Sequence, residues 1–228
     1  MGKRSKLLLF DVDCTLVNTG GAGLTALAET CLEVFEAEGP ALDLAGSTDS
    51  GIVRGIFAHF GREFDPELEA TFYEAYLPKL VANLHDKSFG GRVLLGVPEL
   101  LADCEEAGHT LGLLTGNIAR GGAIKVGHYG LAEHFQFGAY GDDHWDRNLL
   151  GPIAIERANR HSGKDFSAKD AIVIGDTHKD INCAHAMGSP CLAVATGSQS
   201  STELAAAGGE LVVEDLTDPR VRDFLFLG

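Results

Sequence analysis

The 228-residue chain predicts an α/β fold, with a mostly parallel sheet covered by helices on both faces and an all-helical insertion. Three observations carry this prediction. Short apolar, β-like runs alternate with helical patterns over most of the length. Two of those runs end in aspartates and a third in Thr-Gly-Asn, the kind of polar strand tip where open α/β sheets keep their ligands. Between about residues 21 and 84 the alternation stops, and helical periodicity runs on without a strand.

The first strand is expected at 6–12, where a leucine-rich run too short for a membrane span ends at Asp11 and Asp13. The insertion follows as helices over 24–37, 50–60 and 66–84, joined by polar turns such as Gly46-Ser47-Thr48-Asp49. Gly20-Gly21 and Gly90-Gly91 are flexible enough to serve as hinges at its two ends. The helix at 97–107 has Pro98 in its first turn and Gly108 just past its end, the expected asymmetry. Strands at 110–115, 135–138, 171–175, 191–195 and 210–213 then alternate with helices at 119–128, 152–161, 179–187 and 201–207. The domain division is therefore 1–20 with 85–228 for the α/β unit, and 21–84 for the helical one.

Composition narrows the function. Hydrophobic content of 45% and charged content of 22% suit a folded globular protein. A net charge of −15 makes nucleic acid and anionic membrane poor partners. It leaves room for a small anionic substrate, because a metal ion and local dipoles can reverse the sign inside a cleft. Five scattered cysteines, at 14, 31, 104, 183 and 191, form no CxxC pair and point to a reducing cytoplasm. The basic start is followed by an apolar run too short for a signal-peptide core, Lys6 breaks the myristoylation pattern, and no segment is apolar enough to cross a bilayer.

Three segments carry the chemistry. Asp11 and Asp13 flank Val12 at the end of the first strand, where one carboxylate can attack and the other handle a proton. Thr115-Gly116-Asn117 closes another apolar run and opens a helix, offering a hydroxyl and free backbone N–H groups to an anion. Gly175-Asp176 ends a third buried run, and Asp180 lies one helical turn farther on, so hard oxygen donors can face one cavity and suit Mg²⁺. Taken singly, each has a plain structural alternative: solvated acids at a strand end, or a helix N-cap. His178 between the two acids reads as a solvent-facing residue, and Cys14 as a space-filler beside Asp11.

Together the three segments resemble the haloacid dehalogenase superfamily of hydrolases: DxDxT at 11–15, Thr-Gly-Asn at 115–117 and GDxxxD at 175–180, in that order along nearly the whole chain. The resemblance implies a Rossmann-like three-layer core carrying a mobile helical cap of the type seen in phosphoglycolate phosphatase-like and β-phosphoglucomutase-like members. It implies that Asp11 is the nucleophile forming an aspartyl phosphate and that Asp13 is the acid and base. It assigns Mg²⁺ to Asp11, the main-chain carbonyl of Asp13, and Asp176, with Asp180 in support. Thr115, Gly116 and Asn117 would grip the phosphoryl oxygens. A lysine usual in the family is absent. Arg147, in Asp146-Arg147-Asn148, is the candidate cation and Lys125 its rival.

The implied activity is Mg²⁺-dependent hydrolysis of a small phosphorylated metabolite by a monomer or homodimer. Thr48, Asp49 and Arg54 are expected to look down from the cap and read the substrate, and His144 and Trp145 to rim the cleft. Dehalogenases of the family usually lack an acid at the position of Asp13, which favours phosphoryl chemistry. A phosphomutase would share the core. A phosphonate hydrolase would need a cap lysine, for which Lys79 and Lys87 are in range. A dinucleotide-dependent oxidoreductase is the distant alternative: Gly21-Ala22-Gly23-Leu24-Thr25-Ala26 matches GxGxxA, but it does not directly follow the first strand as that fingerprint requires.

Overall fold

The computed structural model describes residues 5–41 and 44–226. The basic start and outer limits of the α/β unit, at 1–4 and 227–228, and residues 42–43 of the insertion lie outside them. Strand β1 (Leu7–Phe10) leads through a two-residue strand β2 (Val17–Asn18) into helices α1 (Ala22–Phe35), α2 (Asp49–His59) and α3 (Pro66–His85), and β3 (Arg92–Val93) brings the chain back. The remainder alternates through α4 (Val97–Glu106), β4 (Thr110–Leu114), α5 (Ala119–His128), β5 (Gly138–Ala139), α6 (Leu150–Ser162), β6 (Ala171–Gly175), α7 (His178–Met187), β7 (Cys191–Val194), α8 (Ser201–Ala206), β8 (Leu211–Val213) and α9 (Pro219–Phe226).

Six strands form one parallel sheet in the order β5-β4-β1-β6-β7-β8. β1 lies inside it, with Leu8 opposite Leu111 on one side and Ile172 on the other. Successive side chains of a strand leave opposite faces. Leu8 and Phe10 accordingly join one core with Leu100 and Leu101 of α4, while Leu7 and Leu9 join another with Ala154 of α6 and Ile181 of α7. All four are fully buried, which is why the run carries no polar residue. The result is the expected three-layer arrangement.

The insertion has its own core. Phe57 lies edge-on to Phe35 and Phe72, at centroid separations of 5.8 and 6.2 Å, beside Val53 and Ile56. A second cluster joins Ala22, Ala26, Tyr76 and Leu80 to Ile118, just ahead of α5. Through that cluster the helical unit rests on the α/β unit above the tips of β1 and β4.

The two connections of the insertion run side by side. β2 and β3 pair antiparallel, with Val17 opposite Val93 and Asn18 opposite Arg92. Gly20 follows at φ 65°, and a Cβ there would lie 1.7 Å from the carbonyl oxygen of Phe89, so both its conformation and its lack of a side chain are required. Strands of two residues leave no periodicity to read, and the sequence expectation missed this pair. It also missed α9 and placed the strand of 135–138 too early. Phe135 instead plugs the core against Phe10, ring centroids 5.8 Å apart, and pairing begins at Gly138.

Candidate active site

The tip of β1 sets the first acid. The amide of Asp11 donates to the carbonyl of Ile174 at 2.9 Å, extending the ladder by one residue and fixing the carboxylate at the sheet edge. Beyond Val12 the chain turns sharply, since Leu16 and Val17 both donate to the Val12 carbonyl, at 3.0 and 3.1 Å. Asp11 is buried, whereas Asp13 is 38% exposed at its side chain and faces the cavity above the sheet.

Each acid has its own cation. The Lys125 ammonium donates to both oxygens of Asp13, at 2.8 and 2.7 Å, and to Asn117 Oδ1 at 2.6 Å. Asn117 Nδ2 donates in turn to Asp13 Oδ2 and to Thr115 Oγ1, both at 2.8 Å. Arg147, buried at the start of a short turn before α6, has Nη2 3.2 Å from Asp11 Oδ1 and ion-paired with Asp180. It also donates to the carbonyls of Leu114 at 3.2 Å and Gly46 at 2.9 Å. The structure therefore brings both candidate cations to the site: Arg147 to Asp11, Lys125 to Asp13.

Asp176 ends β6, and Asp180 stands in the first turn of α7. There its Oδ2 accepts from the Thr177 amide at 3.0 Å and the Thr177 hydroxyl at 2.7 Å, completing a reciprocal cap. Asp11, Asp176 and Asp180 each offer an oxygen within 4.8 Å of the other two. Burial, with Asp180 and Asp13 adding repulsion, raises the pKa of Asp11 despite Arg147 and a Thr115 hydrogen bond. Burial and the neighbouring acids also raise Asp176. Crowded, desolvated, hard oxygen donors of this kind fit a divalent cation, which would relieve their repulsion. The Asp13 carboxylate is not in this group, leaving only its main-chain carbonyl for the metal role expected from sequence. His178 pairs with Gln199 and also stays outside the group.

Over these residues the insertion closes a cavity of about 350 Å³. The turn at 46–49 docks on the α/β unit: Asp49 N donates to the Gly116 carbonyl at 2.7 Å, and a Cβ on Gly116 would lie 1.9 Å from the Ser47 carbonyl oxygen. Gly116 thus serves as a contact point for the turn.

The three expected reading residues separate. Asp49 lines the cavity, but its Oδ2 accepts from the Ile118 amide at 2.8 Å; burial raises its pKa to about 6 against the pull of Lys125 and that amide. Thr48 caps α2 by accepting from Gly51 N and donates to the Trp145 carbonyl at 2.5 Å, so its hydroxyl is engaged. It lines an adjoining pocket with Trp145 rather than the cavity over Asp11. Arg54 is a correction: its guanidinium lies 3.5 Å from the centre of the Phe64 ring, because the helix turns that position toward the insertion's own aromatic residues. The residues that line the upper cavity are Leu24, Leu27, Val53, Phe72, Tyr73 and Tyr76. Sequence reasoning missed them because apolar helix positions that face a cavity share the periodicity of those that face a core.

The haloacid dehalogenase-like hydrolase profile matches residues 8–194. A phosphoglycolate phosphatase of Mesorhizobium japonicum is 29% identical over 197 residues, 84% of this chain and 83% of that protein. One from Pseudomonas savastanoi is 26% identical over 220 residues, 94% of this chain and 78% of that protein. Among solved structures, a β-phosphoglucomutase from Clostridium difficile superposes with a TM-score of 0.74 at 16% identity, covering 97% of this chain and 96% of that one. A hydrolase from Pseudomonas syringae gives 0.69 at 19%, covering 94% and 95%. At these identities the two structures speak for the fold, while the profile spans the first strand, the insertion and all three motifs. The chain belongs to the haloacid dehalogenase-like hydrolase family.

Proposed function

We propose that the protein is a Mg²⁺-dependent phosphatase that hydrolyses a small phosphomonoester through an aspartyl phosphate on Asp11. The observation that carries this reading is the division of labour between two acids at one strand tip. Asp11 sits against Arg147 and the acid cluster, while Asp13, two residues on, is clamped separately by Lys125 and Asn117 and faces the same cavity.

In the first half-reaction an Asp11 oxygen attacks phosphorus, the ester P–O bond breaks, and Asp13 delivers a proton to the departing alkoxide. In the second, Asp13 takes a proton from water, the water oxygen attacks phosphorus, and the aspartyl P–O bond breaks to restore the carboxylate and release phosphate. Arg147 is placed to offset the charge that builds on the phosphoryl oxygens beside Asp11. Thr115 and the N–H groups at Gly116 and Asn117 would hold those oxygens. Asp11, Asp176 and the Asp13 carbonyl would hold Mg²⁺, with Asp180 orienting Arg147; the ion supplies charge neutralisation that brings phosphate and carboxylate together.

The names of the curated relatives make phosphoglycolate a natural test substrate. The phosphonate hydrolase alternative loses support, because Lys79 pairs with Glu33 and neither it nor Lys87 is among the described residues lining the cavity. The dinucleotide alternative fares no better: the glycines at 21 and 23 open α1 of the insertion, outside any strand-helix unit of the parallel sheet.

The test is hydrolysis of p-nitrophenyl phosphate with and without Mg²⁺, together with trapping of the covalent phosphoenzyme. Asp11→Asn should abolish both, whereas Asp13→Asn should slow phosphate release and let the intermediate accumulate. Covalent phosphate on the Asp11→Asn protein would refute the assignment. A mutase would instead transfer the phosphoryl group to an added sugar phosphate faster than to water.

A further inference from the structure

The cavity has two unlike ends. Its floor holds the acids, both cations and Thr115. Its roof, supplied by the insertion, is formed by Leu24, Leu27, Val53, Phe72, Tyr73 and Tyr76. A second, apolar groove of about 290 Å³ shares Leu24, Leu27 and Leu44 with it and runs on past Cys31 and Leu32. The stripe 24, 27, 28, 31, 32 is one face of α1. Leu24 and Leu32 on that face are 59% and 51% exposed, so the stripe carries apolar surface from the cavity out to solvent.

Charge in the roof is equally one-sided. The whole sequence of 21–84 contains three Lys or Arg residues, Arg54, Arg62 and Lys79, and none of them lines the cavity. Arg54 is spent on Phe64 and Lys79 on Glu33. The floor cations are committed as well. An ammonium has three N–H donors, and those of Lys125 are matched by the two oxygens of Asp13 and by Asn117 Oδ1. Arg147 is held by Asp11, Asp180 and two carbonyls. The charged group that the roof does present is the carboxylate of Asp49.

We infer that the site is built for the monoester of an uncharged, largely apolar alcohol, and that it selects against esters carrying a second anionic group. This inference rests on the phosphatase reading and names its substrate class. A carboxylate or second phosphate on the leaving group would enter an apolar chamber with Asp49 near and no uncommitted cation among the described lining residues, at the cost of its hydration. An apolar body would instead bury against Leu24, Leu27 and Leu44. The roof also offers a phenol. Tyr76 lines the chamber near Lys125, and its hydroxyl can meet a single hydroxyl or carbonyl on the alcohol. The substrate class therefore differs from the one in the names of the curated relatives, whose ester bears a carboxylate.

The test compares benzyl phosphate, propyl phosphate and phosphoglycolate, whose alcohols are similar in acidity, so that the pocket rather than the leaving group decides. Benzyl phosphate should exceed phosphoglycolate in kcat/KM by about tenfold or more, the scale on which an apolar pocket discriminates, with propyl phosphate between them. Leu24→Arg, a change at an exposed position, should narrow the gap by improving phosphoglycolate. Calorimetric binding of two unreactive analogues to the Mg²⁺-loaded wild-type protein supplies a readout free of turnover: 2-phenylethylphosphonate should bind more tightly than 3-phosphonopropionate. Equal or tighter binding of 3-phosphonopropionate would overturn the inference, as would faster hydrolysis of phosphoglycolate. If no ester is hydrolysed while the binding preference holds, the phosphatase reading fails and the pocket assignment stands.

Discussion

Lys125 and Asp13 form a chelated pair in which one ammonium meets both carboxylate oxygens, at 2.8 and 2.7 Å, although they come from α5 and from the loop after β1. Burial alone would favour a neutral lysine, yet Asp13 and its neighbours more than offset that and raise the Lys125 pKa. Lys125 is 5% exposed, so the pair is nearly dry on the lysine side and open to the cavity on the aspartate side. Its geometry fixes the direction in which Asp13 presents its carboxylate.

Removing the lysine should therefore act on the step that Asp13 serves. Lys125→Ala is expected to lower kcat by about tenfold or more, the lower range for loss of acid–base assistance. Rapid-quench measurements should show the phosphoenzyme building up, because its hydrolysis is slowed. A loss confined to KM, with no accumulation, would make Lys125 a substrate-binding residue instead.

Arg147 serves the other acid, and its loss should be felt in the attack on phosphorus. Arg147→Ala should reduce kcat/KM by about 100-fold or more, the scale for removing a charge contact made in the transition state. The drop should exceed that of Lys125→Ala. Arg147→Lys should recover only part of it, since an ammonium cannot reach Asp11, Asp180 and two carbonyls from one plane. The reverse ranking would exchange the roles of the two cations.

Asp180 should behave as a positioning residue. It is fully buried, completes the cap of α7 and pairs with Arg147. Asp180→Ala leaves a buried guanidinium without that partner and should cost about 3–5 kcal/mol in denaturant unfolding. Asp180→Asn keeps the shape and should cost less stability while still depressing kcat. Equal stability in all three proteins would contradict the buried pair.

The acid cluster gives the metal-free protein a characteristic pH response. Asp11 and Asp176 have pKa values raised above the ordinary 3.8, so the folded chain holds their protons more tightly than the unfolded chain does. Stability then falls as pH rises above that ordinary value, and the loss is complete once pH passes the folded values. In EDTA the Tm should decline from about pH 5 toward alkaline pH. Mg²⁺ should restore it, most strongly at the alkaline end. Asp176→Asn should flatten the decline, which separates the cluster from the general repulsion of a chain with net charge −15. An unchanged slope in that variant would remove the cluster as the cause.

Thr48 and Arg54 should affect stability without changing substrate ranking. Thr48→Val removes an N-cap and should cost about 1 kcal/mol. Arg54→Ala removes the contact over Phe64 and should cost about 0.5–2 kcal/mol. A changed order among phosphate esters in either variant would return these residues to substrate reading.

The sequence was most legible where one residue type has one use. The Asp11–Asp13 strand tip, Asp176 with Asp180, and the long strand-helix alternation all announce themselves through short-range patterns. Arg147 could be singled out only through the family resemblance, as the cation standing where a lysine is usual ahead of a helix. Lys125 reached Asp13 only through the fold, since 112 residues separate them and the helix pattern at 119–128 does not say which face meets β1. The roof of the cavity was least legible. Thr48 in the turn and Arg54 on the helix after it looked like readers of a substrate, but one hydroxyl was needed to start a helix and one guanidinium found an aromatic ring nearer than the site.

The antiparallel pairing of Val17 with Val93 bears on how such a chain could be assembled and altered. Partners across a strand pair lie about 5 Å apart, so roughly 70 residues leave and rejoin the α/β unit at almost one point, through a two-stranded ribbon separate from the parallel sheet. A segment with abutting ends can be exchanged for a short turn without moving β1 or β4, because nothing in the parallel ladder depends on its length. The helical unit is thus a graft on a complete stem, and a chimaera that joins Asn18 to Arg92 through a tight turn should still fold its six-stranded sheet.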